Sequence, residues 1–173
     1  MKHIQKIVAS IIVIAATITT ANAQSTASAS ASATIVTPIS IVKNVDMNFG
    51  NIAVTSSGGT VVLAPAGTRT ATGGVTLPVV AGTVSAAAFT VSGQSNYTYD
   101  ITLPSGNIVL ANGANSMNIN NFTASIGLTA GQLSSGGTGT QSFTVGATLD
   151  VSANQAAGLY TTATPFNVTV NYN

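Results

Sequence analysis

Cysteine is absent from this chain, so no disulfide can staple its fold and no N-terminal cysteine can carry a lipid anchor. Tryptophan and glutamate are absent as well, and the single histidine, His3, lies in a leader that reads as a targeting segment. Past that leader no imidazole or thiolate remains. Ser-His-Asp and Cys-His nucleophilic chemistry therefore has no general base, and zinc has none of its usual nitrogen and sulfur ligands. Charge is equally scarce: Asp, Glu, Lys and Arg make up 4% of the chain, against ~25% in an ordinary soluble domain. Lys43 and Arg69 stand against Asp46, Asp100 and Asp150 in the part that follows the leader. Two scattered cations cannot displace the counterions of a phosphate backbone, which excludes nucleic acid as a partner. The three aspartates are widely separated with no motif around them. They read as loop or strand-edge solubilisers rather than as a paired-carboxylate site. The inventory points away from an enzyme, with no catalytic residue, no metal site and no cofactor expected. Low charge also removes one protection against self-association, as befits a protein that assembles.

What is present begins with the leader, residues 1–23. Lys2 and Lys6 supply a positive start, Ile7 to Ile18 an apolar stretch, and Ala21-Asn22-Ala23 a small-x-small cleavage site. This pattern predicts a signal peptide cleaved before Gln24 and export by the general secretory route, to the periplasm, cell surface or medium. The apolar stretch is well short of the roughly 20 residues of a spanning helix, and no membrane span is expected.

Short motif matches dissolve on inspection. Gly136-Gly137-Thr138-Gly139 has no lysine at the P-loop spacing and no helical pattern after it, so it is a turn. None of the aspartates opens a calcium loop. Asn96-Tyr97-Thr98, Asn121-Phe122-Thr123 and Asn167-Val168-Thr169 match the glycosylation triplet, which arises by chance in a chain rich in Asn and Thr.

The positive signal is a period of two, which turns alternate side chains toward a core and toward water. Phe143, Val145, Ala147, Leu149 and Val151 form the cleanest run. Phe166, Val168, Val170 and Tyr172 form a second, Tyr97, Tyr99, Ile101 and Leu103 a third, and Val45, Met47 and Phe49 a fourth. Further strands are expected at Thr60 to Leu63, Val75 to Val80, Ala86 to Val91 and Met117 to Ile126. Between them lie turn clusters such as Ser56-Ser57-Gly58-Gly59, Gly73-Gly74, Asn112-Gly113 and Ser134 to Gly139. About eight short strands with no helix after the leader predict an all-β protein, an antiparallel immunoglobulin-like β-sandwich. One domain over residues 34–173 suffices for a single core, with the aromatic residues packed in it or half-buried on its sheets.

Two stretches carry a resemblance: Ala33 to Ile41 followed by Met47-Asn48-Phe49-Gly50-Asn51-Ile52, and Ala157 to Thr162 followed by Pro165 to Asn173. In order and position they resemble the opening and the ending of a bacterial secreted family of unknown function, DUF4402, over essentially residues 33–173. More distantly, the Phe-Gly turn after the first strand and the alternating last strand with penultimate Tyr172 are similar to pilin subunits of the chaperone-usher and spore-coat-U types. That wider resemblance implies a sandwich lacking one strand, completed by an N-terminal extension of the next subunit. Its implied partners are other copies, other surface proteins and a periplasmic chaperone.

The segment that would serve as such an extension is 24–33 with the residues just after it. Ala27, Ala29, Ala31, Ala33 and Ile35 alternate with Ser and Thr, as a strand requires. Alanine methyls are small for the purpose, and a flexible Ala/Ser linker is the competing reading. The candidate assembly residues are therefore these five together with Phe166, Val168, Val170 and Tyr172. A structural or adhesive surface protein, a pilin-like fibre or coat subunit, is the function expected. The alternative is a monomeric adhesion or glycan-binding module working through loops such as Ser56–Gly59 or Asn107–Asn115. An Asp-based enzyme, the third class, would need two of its aspartates in one pocket.

Overall fold

The computed structural model describes residues 23–173, so the leader lies outside it but for Ala23. The described chain falls into two units, divided between Thr34 and Ile35. Residues 23–34 carry no regular element and are exposed.

The second unit is all-β, and no helix occurs among the described residues. Its strands are β1 (Ser40–Val45), β2 (Ala53–Val54), β3 (Gly59–Leu63), β4 (Arg69–Ala71), β5 (Val75–Thr76), β6 (Ala87–Gln94) and β7 (Thr98–Thr102). After these come β8 (Ile108–Asn112), β9 (Asn115–Ala124), β10 (Gly131–Gln132), β11 (Thr138–Val151), β12 (Thr161–Thr162) and β13 (Thr169–Tyr172). Every pairing is antiparallel. The main sheet runs β1-β6-β11-β9-β8-β12, with β3 and β4 attached through β11; β10-β7-β13 and β2-β5 form two smaller sheets. Thirteen elements replace the eight expected because several are two-residue ladders.

The organising element is β11, 14 residues long. Its first half, Thr138–Val145, pairs with β6, and its second half, Ala147–Val151, pairs with β3. Val145 and Thr148 each also pair with β9, so β6 and β3 succeed one another along one edge of β11 while β9 holds the other. The period of two puts Phe143, Val145, Ala147, Leu149 and Val151 all inside, as expected from the pattern. Phe143 and Val145 join Phe89, Val91, Tyr99, Ile101, Leu133 and Val170 in one cluster, beneath β7 and β13. Ala147, Leu149 and Val151 join Phe49, Val61, Leu63, Val75 and Ile119 in a second. Tyr99, wholly buried, donates its hydroxyl to Gln141 Oε1 at 2.8 Å, and burial holds its phenol above the ordinary pKa of 10.0.

Three expectations are corrected. Val45 points outward, 42% exposed, because the β1–β6 register shifts between Lys43 and Val45 and breaks the alternation before Met47. The strand expected over Val75 to Val80 stops at Thr76: Pro78 cannot donate to a ladder, and Val79 and Val80 stand exposed in a loop. Tyr97 lies at the surface, with its ring edge-on to Tyr172 at 5.4 Å between centroids. The Asn112-Gly113 turn is where expected. Asn112 pairs with Asn115 across a two-residue loop, with Gly113 at φ 58° as such a hairpin demands.

Candidate functional site

A cleft of about 980 Å³ lies on the inward face of the main sheet. Its floor is apolar: Phe89, Leu110, Met117, Ile119, Leu149 and Val151. One wall is residues 46–54, the other is Pro165 to Val168, and Gln155 to Thr162 close one end.

The first wall is held from behind. Asn48 and Ser85 exchange backbone hydrogen bonds of 2.8 and 3.0 Å, Asn51 N–H donates to Ala81 O at 2.7 Å, and β2 pairs with β5. The chain turns sharply at Gly50, whose N–H donates to Asn48 Oδ1 at 2.8 Å. At φ 67°, with Ala81 O only 2.3 Å from where a Cβ would sit, this position takes glycine alone. The Arg69 guanidinium reaches into the turn and donates to Phe49 O and to Asn51 O, the latter at 3.0 Å. Ser85 Oγ donates to Asp46 O at 2.7 Å. β2 pairs with β5 alone among the described residues.

The second wall, Pro165 to Val168, leads into β13. β13 pairs with β7 from Thr169↔Thr102 to Tyr172↔Tyr99 and is likewise an edge strand. Just before it, Pro165 lacks an N–H, and Phe166 leans on Phe122 with ring centroids 5.0 Å apart. At the far end of β13 the Tyr172 hydroxyl donates to Thr37 O and accepts from Gln94 N–H, both at 2.7 Å. The end loop is pinned by Tyr160, whose hydroxyl donates to Ala156 O at 2.8 Å and accepts from Gln155 Nε2 at 2.9 Å.

The candidate assembly residues divide between the two units. Phe166 and Val168 line the cleft, partly buried, Val170 is in the core, and Tyr172 fastens the end of β13 to the start of the domain. Ala27, Ala29, Ala31 and Ala33 are exposed outside any strand, and Ile35 is 98% exposed. Of the aspartates only Asp46 lines the cleft, and it is paired with Lys43 at the rim. Asp100 is exposed on β7, and Asp150 accepts from Asn120 Nδ2 at 2.6 Å. The loop Ser56–Gly59 does not line the cleft, and Asn107 to Val109 border a separate dent of about 250 Å³. No group of three His, Cys, Asp or Glu side chains comes together among the described residues. What the cleft presents is an apolar side-chain floor beside β2 and the lead-in to β13.

Arg69 and Ser85, which help shape the first wall, escape a reading of the sequence: they are isolated polar residues with no periodic pattern, and only the Met47–Ile52 motif, Asn48 within it, marks the place.

A family model described as a domain of unknown function, DUF4402, matches residues 39–172. No curated protein and no solved structure matches the chain. The match runs from the residue before β1 through the last residue of β13 and so takes in both walls and the floor of the cleft. The chain belongs to the DUF4402 family.

Proposed function

We propose that this protein is a secreted structural subunit of a surface fibre or coat, and that it joins its neighbours by taking an extended strand into the cleft. The observation that carries the reading is the pair of edge strands. β2, backed by β5, lines one side of an apolar trough, and Pro165 to Val168, the lead-in to the edge strand β13, line the other. One strand laid between them would satisfy hydrogen-bonding groups of both edges and merge the two small sheets into a single layer over the main one. Its inward side chains would cover the apolar floor. An edge of this kind is a liability in a free monomer, which gives the open cleft a physical reason to be filled. The likeness of the chain's ends to pilin subunits agrees with this role, and the leader agrees with export.

The test uses cells producing the full chain with a photo-activated cross-linker placed at Asn167, on the second wall. Cross-linking to a second polypeptide in the surface fraction is expected, together with slowed amide exchange at Ala53, Val54 and Thr169 to Tyr172 in the isolated assembly. Monomer alone, with those amides exchanging freely, would overturn the reading.

A further inference from the structure

We infer that Asn112 is a site of spontaneous covalent modification: the Gly113 backbone nitrogen displaces its side-chain amide, and water then leaves an aspartate or isoaspartate carboxylate in the β8–β9 hairpin, loosening the ladder to β12. The chemistry owes nothing to the strand-accepting reading above.

An asparagine cyclises when the next backbone nitrogen reaches its side-chain carbonyl carbon, and a Cβ on that next residue stands in the way. Asn112 is the one asparagine of the chain followed by glycine. The turn leaves that glycine open: nothing lies within 4 Å of where a Cβ on Gly113 would sit. Gly113 and Ala114 form the whole loop between the paired Asn112 and Asn115. The flanking pair makes the ladder bonds of such a hairpin, and among the described residues the Gly113 N–H has no backbone carbonyl partner. With no side chain and a φ of 58°, Gly113 is free to swing its peptide toward the Asn112 amide.

The change is a cyclisation followed by a hydrolysis. Gly113 N gives its proton to solvent and bonds to Asn112 Cγ; the Cγ–Nδ2 bond breaks and ammonia leaves. Water then opens the cyclic imide at either carbonyl. Opening at Cγ restores the ordinary main chain with an aspartate side chain. Opening at the main-chain carbonyl carries the chain through Cγ and yields isoaspartate. An amide and a water become a carboxylate and an ammonia, and solvent is the only co-reactant.

Position decides the effect. Asn112 ends β8, whose Leu110 and Ala111 pair with Thr162 and Thr161 of β12. Its Nδ2 occupies the place that a Cβ on Gly158 would take, so the amide is packed against the loop that closes one end of the cleft. Neither described cation is free to meet a carboxylate there: Lys43 pairs with Asp46, and Arg69 donates to Phe49 O and Asn51 O. Isoaspartate also lengthens the main chain inside a two-residue loop, and loop length sets the β8–β9 register. The end of the hairpin loosens, and the short β12 ladder beside it loosens too.

The test holds the folded, secreted chain in mildly alkaline buffer and maps its peptides by mass spectrometry, with chromatographic separation of the two products. Asn112 should convert at least several-fold faster than Asn115, which flanks the same loop but precedes Ser116, and isoaspartate should appear beside aspartate. Gly113→Ala should slow the conversion several-fold. Isoaspartate arises only through the imide, so it identifies the route even where that variant fails to fold. In the isoaspartate fraction the amides of Thr161 and Thr162 should exchange several-fold faster than in fresh protein, with β6 and β11 unchanged. Asn112 intact in the folded chain while the same chain converts in urea would overturn the inference. Conversion no faster than at Asn115, aspartate without isoaspartate, or a folded Gly113→Ala variant that converts at the original rate would overturn it as well. Unchanged exchange at Thr161 and Thr162 would overturn the loosening of the ladder.

Discussion

Changing Tyr172 to phenylalanine removes one oxygen atom and leaves the ring. That oxygen makes two hydrogen bonds of 2.7 Å, donating to Thr37 O and accepting from Gln94 N–H. The ring keeps its edge contact with Tyr97 and its cover over Gly93. Each hydrogen bond is worth about 1 kcal/mol net, and the part-buried Gln94 N–H left without its partner pushes the cost toward the upper end. A loss of about 2 kcal/mol is expected. In a domain of this size it lowers the melting temperature by roughly 6 °C. Urea unfolding followed by far-ultraviolet circular dichroism measures the change, with an unchanged m-value showing that only stability has moved.

A second substitution makes the argument stricter. A Cβ on Gly93 would lie 2.2 Å from the Tyr172 hydroxyl oxygen, so Gly93→Ala forces the ring off its site. The two changes damage the same contact, and the double variant should be more stable than the sum of the single losses predicts. A wild-type midpoint for Tyr172→Phe, or strict additivity with Gly93→Ala, would refute the account of this fastening.

Two further outcomes follow from the geometry. Arg69→Met keeps the stem but removes the donors to Phe49 O and Asn51 O; a loss of about 1–2 kcal/mol is expected, with faster amide exchange at Asn48 and Asn51 and none at β6 or β11, and a uniform acceleration across the domain would contradict it. Tyr99 has a raised folded pKa, so above pH ~10 the native state holds a proton that the unfolded chain has lost. The stability this gives is fully present below pH ~10 and is lost as pH rises through the folded pKa. Tyr99→Phe should flatten that decline, and an equally steep fall in the variant would show that other groups cause it.

How much of this was legible in the sequence depended on how local each feature is. The inward face of β11 could be read directly, because Phe143 to Val151 alternate without interruption and a strand's geometry obliges the rest. Val45 misled because a register shift consumes one residue and leaves no mark in composition. Val75 to Val80 misleads because its apolar residues favour a strand while the proline inside it ends the ladder. Phe166 and Val168 were recognisable as an alternating pair, and residues 47–52 as a motif. That they face each other across a trough is a matter of topology, since they lie at opposite ends of the domain. Arg69 carries the same limitation: its two carbonyl partners become neighbours only after β3 and β4 have folded back.

The placement of β11 has a consequence for timing. It is the strand that β3, β6 and β9 share, and all three precede it in the chain. A polypeptide released N-terminus first, from a ribosome or through any pore, can close local hairpins such as β3–β4 and β8–β9 early. It cannot bring them into one layer until Val151 has emerged. Contacts of such long sequence separation are slow to form, because the closure entropy is lost before the pairing returns it. Most of the chain therefore waits with its apolar faces uncovered for a strand near its end: Phe143 and Leu149 bring the two clusters together, and Val170 on β13 completes the first.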